Sequence, residues 1–431
     1  MKDHPAAPTR PSIGMVLYAD LTYDSRVRRE AVSLVAAGFD VTLVCLSGPS
    51  DARDLPAGVN VVYHAPPRKG VIPGTPVATR PLGRIRRRLA QLGWLLSYIT
   101  TLRSWGRGVP RLAHDADVWH LHDLTALAGV LPALPPGARV VYDAHELFLE
   151  SGLAATLPVP VRRLLHAYER RLVRRVTAIV TVNDELASVL RRRYPTSRMV
   201  VVHNCPGSWV PPEPRPTLIR DAAKIPAGAP IVLYHGGVGA SRGIEQLMDA
   251  ISEPGLERVH LVVMGRGPMR ETYLERSRRA PWLGKVHVLD AVPPDELLLW
   301  VASADIGALP IQRSTLNHYL STPNKLFECM AAGVPVVASD FPAIRQIVNS
   351  DPDNPLGILC DPASVEQLAQ AIRSLSDLGP VDMAALRACC LEAAHGKWNW
   401  EREVAGLAEL HRDLAFSADR VDAGPPERQR K

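Results

Sequence analysis

Two charged residues with helical spacing, Lys325 and Glu328, lie at the start of a short helix within residues 322–339. Pro323 is placed for the first helical position, and Gly333 for the residue just past the helix end. Lys325 therefore falls in the first turn, where unpaired backbone N–H groups and the helix dipole favour a phosphate. Glu328, at i+3, can accept hydrogen bonds from ribose hydroxyls. The spacing predicts a site for a nucleotide diphosphate; a surface ion pair is the alternative.

A glycine-rich loop is the second candidate for this site. Residues 234–243 (YHGGVGASRG) follow an apolar run and open a helix. Gly236 and Gly237 allow the backbone to approach a pyrophosphate closely, and Arg242 adds a planar cation. Alone, such a loop fits any Rossmann-like cofactor site. Together with Lys325 it places cations from two loops around one diphosphate, where they stabilise charge that builds on a leaving phosphate.

Polar residues also end two apolar runs in the first half of the chain. His122 lies in ADVWHLHD (residues 116–123), and His145 and Glu146 end YDAHE. The carboxyl ends of neighbouring parallel strands meet at one edge of a sheet, where ligands bind. We expect His145 and Glu146 to orient an acceptor, with loop capping as the alternative. For His122, the alternative to a binding role is polar support of a buried loop.

No metal site is expected, although two features suggest one. Strand alternation puts His120 and His122 on one face, as in a metal pair. Asp115 and Asp117 form an acidic triplet with Ala116, but this triplet precedes its strand and so lies at the wrong end of it. The six cysteines show no metal-ligand spacing.

Strand and helix patterns alternate in two series, which predicts an α/β protein with two Rossmann-like domains facing a central cleft. The first series has seven short apolar runs and the second has five. We expect a disordered N-terminus (1–11), a first domain (12–204), a Pro-rich linker (205–216) and a second domain (217–396). A crossing terminal helix (397–415) and a disordered tail (416–431) complete the chain.

Composition is that of a globular two-domain enzyme. The chain has 431 residues, of which 46% are hydrophobic, and a net charge of +6. No secretory signal or membrane-spanning run is evident, and the cysteines favour a reducing, cytoplasmic location.

Three helices carry uneven basic charge. The helix at 84–105 combines arginines with Trp and Tyr, which suits peripheral contact with an anionic membrane or a lipid-linked acceptor; packing on its own sheet is the alternative. The helix at 161–176 has an arginine face but no interleaved aromatics, so no nucleic-acid partner is expected. In the helix at 24–38, Arg26, Arg28 and Arg29 are expected to be solvated.

The stretch TPNKLFECMAAGVPVVAS (322–339) resembles the donor-site signature of retaining glycosyltransferases of family four, which have the GT-B fold. The helix at 24–38, the DAHE string and the terminal helix after Trp398 are similar to the same family, so the resemblance covers Tyr23 to Leu414. It implies transfer of a sugar from a nucleotide-diphosphate sugar to an acceptor hydroxyl, without a metal or bound cofactor, in glycan, polysaccharide or glycolipid biosynthesis. A sugar or lipid-linked acceptor is the second substrate.

The resemblance also assigns roles to the candidate residues. Arg242 and Lys325 would hold the diphosphate, Asn324 and Glu328 would bind the donor, with Glu328 on its ribose, and His122 would meet the donor sugar. In the mechanism usually proposed for the family, the leaving phosphate takes the acceptor proton.

Two positions depart from the family pattern. Gly237 stands where an arginine is usual, and Leu320 replaces the first acid of the E-x(7)-E pair, which leaves the donor sugar open. A nucleotide-sugar epimerase of the same fold, or a non-catalytic nucleotide-sugar-binding partner in a glycan-assembly complex, are the alternatives.

Overall fold

Two parallel sheets organise the protein. The computed structural model describes residues 10–51, 55–66, 84–195 and 198–416. The first sheet has the order β3-β2-β1-β4-β5-β6-β7, with strands β1 Ser12–Asp20, β2 Asp40–Ser47, β3 Asn60–Tyr63, β4 Val118–His122, β5 Arg139–Ala144, β6 Ala178–Thr181 and β7 Arg198–Val201. The second has the order β10-β9-β8-β11-β12-β13, with strands β8 Ile231–Gly237, β9 His260–Arg266, β10 Val286–Leu289, β11 Ile306–Leu309, β12 Val336–Ser339 and β13 Gly357–Cys360.

Helices connect the strands in both halves, as parallel pairing requires. They are α1 Ser25–Ala36, α2 Arg84–Gly106, α3 Val109–Leu112, α4 Asp123–Val130, α5 Gly152–Ala155, α6 Val159–Val173, α7 Asp184–Arg193, α8 Leu218–Ala223, α9 Ile244–Ala250, α10 Arg270–Ser277, α11 Leu297–Val301, α12 Leu316–Leu320, α13 Asn324–Ala331, α14 Pro342–Val348, α15 Val365–Ser376, α16 Pro380–Gly396 and α17 Trp400–Phe416. The predicted α/β architecture with two Rossmann-like halves is confirmed.

The chain divides into two compact units. The first consists of residues up to 181, 189–202 and 404 onward, and the second consists of 182–188 and 203–403. The main change of unit therefore falls at Val202, just before the Pro-rich stretch interpreted as the linker. The last helix, α17, joins the first unit from Val404, where Leu407, Leu410 and His411 are fully buried.

Each unit has its own core, built from the alternating apolar residues of its strands. In the first unit, Met15, Leu43 and Val27 pack together between β1, β2 and α1. In the second, Leu326 and Phe327 of α13 belong to the core that lies under β11 and β12. This packing fixes the start of α13, which carries the charged residues identified in the sequence.

Several sequence expectations need correction. Strand β13 was missed because it is short, begins with a glycine and has no β-branched run. The helix predicted at 161–176 is observed as α6, in which Leu164 is 71% exposed and Glu169 is buried. Arg26 was expected to be solvated and is only 3% exposed. The hydroxyl of Tyr142, in β5, lies 3.4 Å from a carboxylate oxygen of Glu169, which gives this buried acid a hydrogen-bond partner.

The basic helix at 84–105 is observed as α2. Its second half is held in the first unit by the buried side chains of Tyr98, Leu102 and Trp105, while Leu96 is exposed. The side chains of the arginine cluster at 84–88 lie outside the described residues, as do most of the two expected disordered ends. Within the described ranges, no helix combines the length and the apolar character needed to cross a membrane.

Candidate functional site

The end of β8 and the start of α13 come together in the second unit. Strand β8 pairs with β9 as far as Gly237, and Gly236 has a φ of +102°, which favours glycine. A Cβ atom built on Gly236 would lie 3.8 Å from Lys325 Nζ. Helix α13 begins at Asn324. Pro323 is therefore the N-cap residue, whereas the sequence analysis placed it at the first helical position. The two segments singled out in the sequence are thus neighbours in space.

Lys325 lies over an aromatic ring. Its Nζ is 3.6 Å from the centroid of Tyr234, a cation–π contact. The Tyr234 hydroxyl donates to the carbonyl of Gly237 at 2.6 Å, so the ring is anchored to the loop that it supports. Burial, followed by the charge of Arg242, lowers the pKa of Lys325 to about 7. The acidic groups of the protein stabilise the charged form of Lys325 only in part, so a bound anion would stabilise this ammonium further.

Glu328 is held by a histidine at the end of β8. His235 Nε2 lies 2.8 Å from Glu328 Oε2, with His235 almost fully buried and the Glu328 side chain 22% exposed. The carboxylate lies one helical turn from Lys325 and keeps a partly accessible surface. His235 was not singled out in the sequence, because a histidine inside an apolar strand reads as a core residue.

Leu320, at the usually acidic position, is buried in the second unit. Its carbonyl accepts a hydrogen bond from Asn183 Nδ2 at 2.9 Å, and the same amide group reaches Thr322 Oγ1 at 3.1 Å. Two polar residues precede Leu320 in α12 and could stand in for the missing acid: Asn317 is buried, and His318 Nδ1 lies 2.7 Å from Ser314 Oγ.

In the first unit, several polar residues surround one buried carboxylate, that of Asp143. Arg26 donates to both oxygens of Asp143, at 3.1 and 3.2 Å, and its Nη2 lies 2.9 Å from Glu30 Oε1. Three histidines approach Asp143 Oδ2: His120 at 3.6 Å, His122 at 3.5 Å and His145 at 3.3 Å. The sequence did not predict that these residues form one buried cluster.

The charges in this cluster are set by burial and by Arg26. Burial would raise the pKa of Asp143, but Arg26 and His145 hold it well below its usual range. Burial raises the pKa of Glu30 well above its ordinary value, although Arg26 opposes the shift. Burial also lowers the pKa of His120 and of His122 to about 4 each, so both rings are neutral at pH 7.

A metal ion fits this cluster poorly, even though four potential ligand atoms of Glu30, His120, His122 and Asp143 lie within 4.8 Å of one another. The rings of the two histidines are stacked, with centroids 4.5 Å apart and planes at 18°. A metal must lie near the plane of each imidazole that binds it, which two stacked parallel rings do not allow at one point. Arg26 also places a cation against both carboxylates.

His145, in contrast, reaches the surface of the first unit. Its side chain is 17% exposed, whereas that of His122 is fully buried. His145 Nδ1 lies 3.5 Å from Asp123 Oδ2, and its Nε2 lies 3.2 Å from His122 Nδ1. Burial alone would lower the pKa of His145, but Asp123 and then Asp143 raise it to about 10.

Of the other acidic residues singled out in the sequence, Glu146 acts electrostatically on Asp123, whereas Asp115 and Asp117 lie before β4, at the opposite end of that strand. Glu146 follows His145 and accepts a hydrogen bond from Ser151 Oγ at 2.7 Å. Asp117 instead accepts from the backbone of Ser12 at 2.9 Å, at the amino end of the sheet, and Asp115 is largely exposed.

Known proteins match both halves of the chain. Residues 229–377 match the family model described as glycosyl transferases group 1, and residues 23–205 match that of the glycosyl transferase 4-like domain. The chain is 26% identical over 404 residues to a glycogen synthase from Mycobacterium tuberculosis, covering 89% of each chain. It is 28% identical over 321 residues to a D-inositol 3-phosphate glycosyltransferase from Xylanimonas cellulosilytica, covering 69% of this chain and 73% of that one.

A solved structure shares the fold. Anabaena HepE, determined with UDP and glucose, superimposes with a TM-score of 0.65 at 14% identity, covering 94% of this chain and 100% of that one. The two sheets and the two family matches define a glycosyltransferase with two Rossmann-like domains. The chain belongs to the group 1 glycosyltransferases of the GT-B fold.

Proposed function

We propose that this glycosyltransferase is a retaining enzyme that moves a sugar from a nucleotide-diphosphate sugar to an acceptor hydroxyl, without a metal or bound cofactor, in the synthesis of a glycan, polysaccharide or glycolipid. The observation that carries the donor class is the position of Lys325. Its ammonium lies over Tyr234 and against Gly236, one helical turn from a partly exposed carboxylate. A cation and a carboxylate at this separation suit a diphosphate and a ribose.

The candidate residues of the second unit would act mainly by stabilising negative charge on the diphosphate. Lys325 and Arg242 counter the negative charge that grows on the leaving diphosphate, so they stabilise the transition state more than the bound donor. Gly236 and Gly237 are both exposed, which leaves their backbone accessible to a phosphate. Asn324, exposed at the start of α13, and Glu328 would bind the rest of the donor. The acceptor proton would leave with the departing phosphate.

Binding and turnover separate this proposal from its alternatives. UDP, ADP and GDP are titrated by calorimetry against the full chain, and the matching glucose donors are then incubated with glucan and with D-inositol 3-phosphate. Lys325→Ala and Glu328→Ala should each lower binding and transfer at least tenfold, since each removes a charged contact. Lys397→Ala, which removes an exposed ammonium elsewhere in the second unit, is the matched control.

The outcomes differ in kind. Conversion of the donor sugar without an acceptor would indicate an epimerase. Nucleotide binding without any turnover would indicate a non-catalytic partner. Transfer by Lys325→Ala at the wild-type rate would contradict the proposed donor site.

A further inference from the structure

Asp123 has a backbone conformation that is rare for its residue type. It is the first residue after β4 and opens α4 with a φ of +61°. A non-glycine residue in this left-handed region costs on the order of 1–3 kcal/mol, and such residues concentrate at functional sites. This conformation places the Asp123 carboxylate at the carboxyl end of the first sheet, the edge at which α/β proteins bind ligands.

The Asp123 carboxylate is paired with His145 and remains accessible. Asp123 Oδ1 accepts a hydrogen bond from the His145 backbone N–H at 3.3 Å, and Oδ2 lies 3.5 Å from His145 Nδ1. The Asp123 side chain is 26% exposed. An incoming hydroxyl can therefore reach an oxygen whose direction is already fixed.

A buried support lies behind this pair. The second ring nitrogen of His145 is 3.3 Å from Asp143 Oδ2, and Arg26 donates to both oxygens of Asp143. Asp143 is fully buried and Arg26 nearly so. With a carboxylate beside each ring nitrogen, His145 is held in one orientation as an imidazolium. Fixed second partners of this kind are what give a reactive group a defined geometry.

We propose that Asp123 accepts a hydrogen bond from a second hydroxyl of the acceptor, next to the hydroxyl that attacks, and that His145 and Asp143 are its positioning residues. This inference rests on the proposed function and names the acceptor contact for it: a polyhydroxylated molecule, or the second O–H of water when donor hydrolysis occurs. The oxygen of the attacking hydroxyl bonds to the anomeric carbon while the bond from that carbon to the phosphate oxygen breaks. The proton of the attacking hydroxyl passes directly to the leaving phosphate, so the Asp123 carboxylate is unchanged after the reaction.

The Asp123 carboxylate must be ionised to accept this hydrogen bond. Burial raises its pKa to about 6, and His145 opposes the shift while Glu146, Asp143 and Asp24 add to it. Transfer and donor hydrolysis therefore decrease as the pH falls through about 6.

Asp123→Asn tests the proposal, because Asn tolerates the left-handed conformation best among close replacements. UDP binding is measured by calorimetry, and UDP release from UDP-glucose is followed with water and with D-inositol 3-phosphate as acceptors. We expect unchanged UDP affinity, a roughly 10–100-fold lower rate of UDP release, and loss of the decrease near pH 6. His145→Gln should move that decrease to a higher pH, because the charge of His145 lowers the pKa of Asp123.

Asp115→Asn is the matched control. Asp115 is also paired with a histidine, His114, at 3.0 Å, but both side chains are largely exposed. Its rate and pH profile should equal those of the wild type. If Asp123→Asn binds UDP and releases it from UDP-glucose at the wild-type rate, the acceptor contact is wrong. If the wild type binds none of UDP, ADP and GDP, the proposed function is wrong, and this inference with it.

Discussion

Lys325 gives nucleotide binding a pH dependence that follows from its surroundings. Burial and the charge of Arg242 place the pKa of the free protein's Lys325 at about 7. A diphosphate beside the ammonium favours the charged form and raises that pKa. If the protonated form alone binds, the dissociation constant grows in proportion to 1 + 10^(pH − 7), which is about 50-fold weaker binding at pH 9 than at pH 7.

The direction is thus toward tighter binding at lower pH, with a proton taken up on binding. The phosphate itself loses its last proton near pH 6, so it does not contribute between about pH 7 and 9. Calorimetric titration of UDP at pH 7, 8 and 9, in two buffers of different ionisation enthalpy, measures both quantities. The uptake should be about half a proton at pH 7 and about nine-tenths at pH 8.

Lys325→Arg is the control, because guanidinium stays charged over this range. Its affinity should vary little with pH, and its proton uptake should vanish. Wild-type affinity that is constant within twofold from pH 7 to 9, with no proton uptake, would refute the placement of this ammonium against the diphosphate.

Two further substitutions test the frame around this site. His235→Phe should weaken UDP binding about tenfold and reduce the preference for UDP over 2′-deoxy-UDP, because Glu328 loses the partner 2.8 Å away that orients it; calorimetry with both nucleotides measures this, and an unchanged preference would contradict it. Gly243→Ala should lower the free energy of unfolding by about 1–3 kcal/mol in urea denaturation, because Gly243 has a φ of +75° and its added methyl group would meet the carbonyl of Pro310. Gly237→Ala, where a Cβ meets no atom within 4 Å, should change stability by much less.

The sequence predicted the parts of this protein that depend on local chemistry. Apolar runs separated by helical patterns predicted every strand of the two sheets except β13, because buried parallel strands have this pattern. The end of α13 was also legible: Gly333 has a φ of +65°, and the N–H of the next residue bonds the carbonyl of Cys329 at 2.8 Å, as in a Schellman motif.

Contacts between distant segments could not be predicted in the same way. Arg26 and Asp143 are 117 residues apart, and nothing in the helix at 24–38 distinguishes an arginine bonded to a buried aspartate from a solvated one. The partner of Glu328 was missed for the same reason, since His235 lies 93 residues earlier in the chain. Helical and strand periodicity identify which face is buried, but not which polar residue is paired on that face.

The membership of α17 in the first unit bears on how the protein is made. His411 stacks on His120 with ring centroids 5.0 Å apart, and Leu407 and Leu410 are fully buried, so the first core includes side chains from near residue 411. During synthesis, the amino-terminal half emerges long before these side chains exist. It must wait, with an open apolar surface, while the whole second unit is translated. An expression fragment ending at residue 202 would keep that surface exposed permanently, and a fragment that joins residues 404–416 to it would close it.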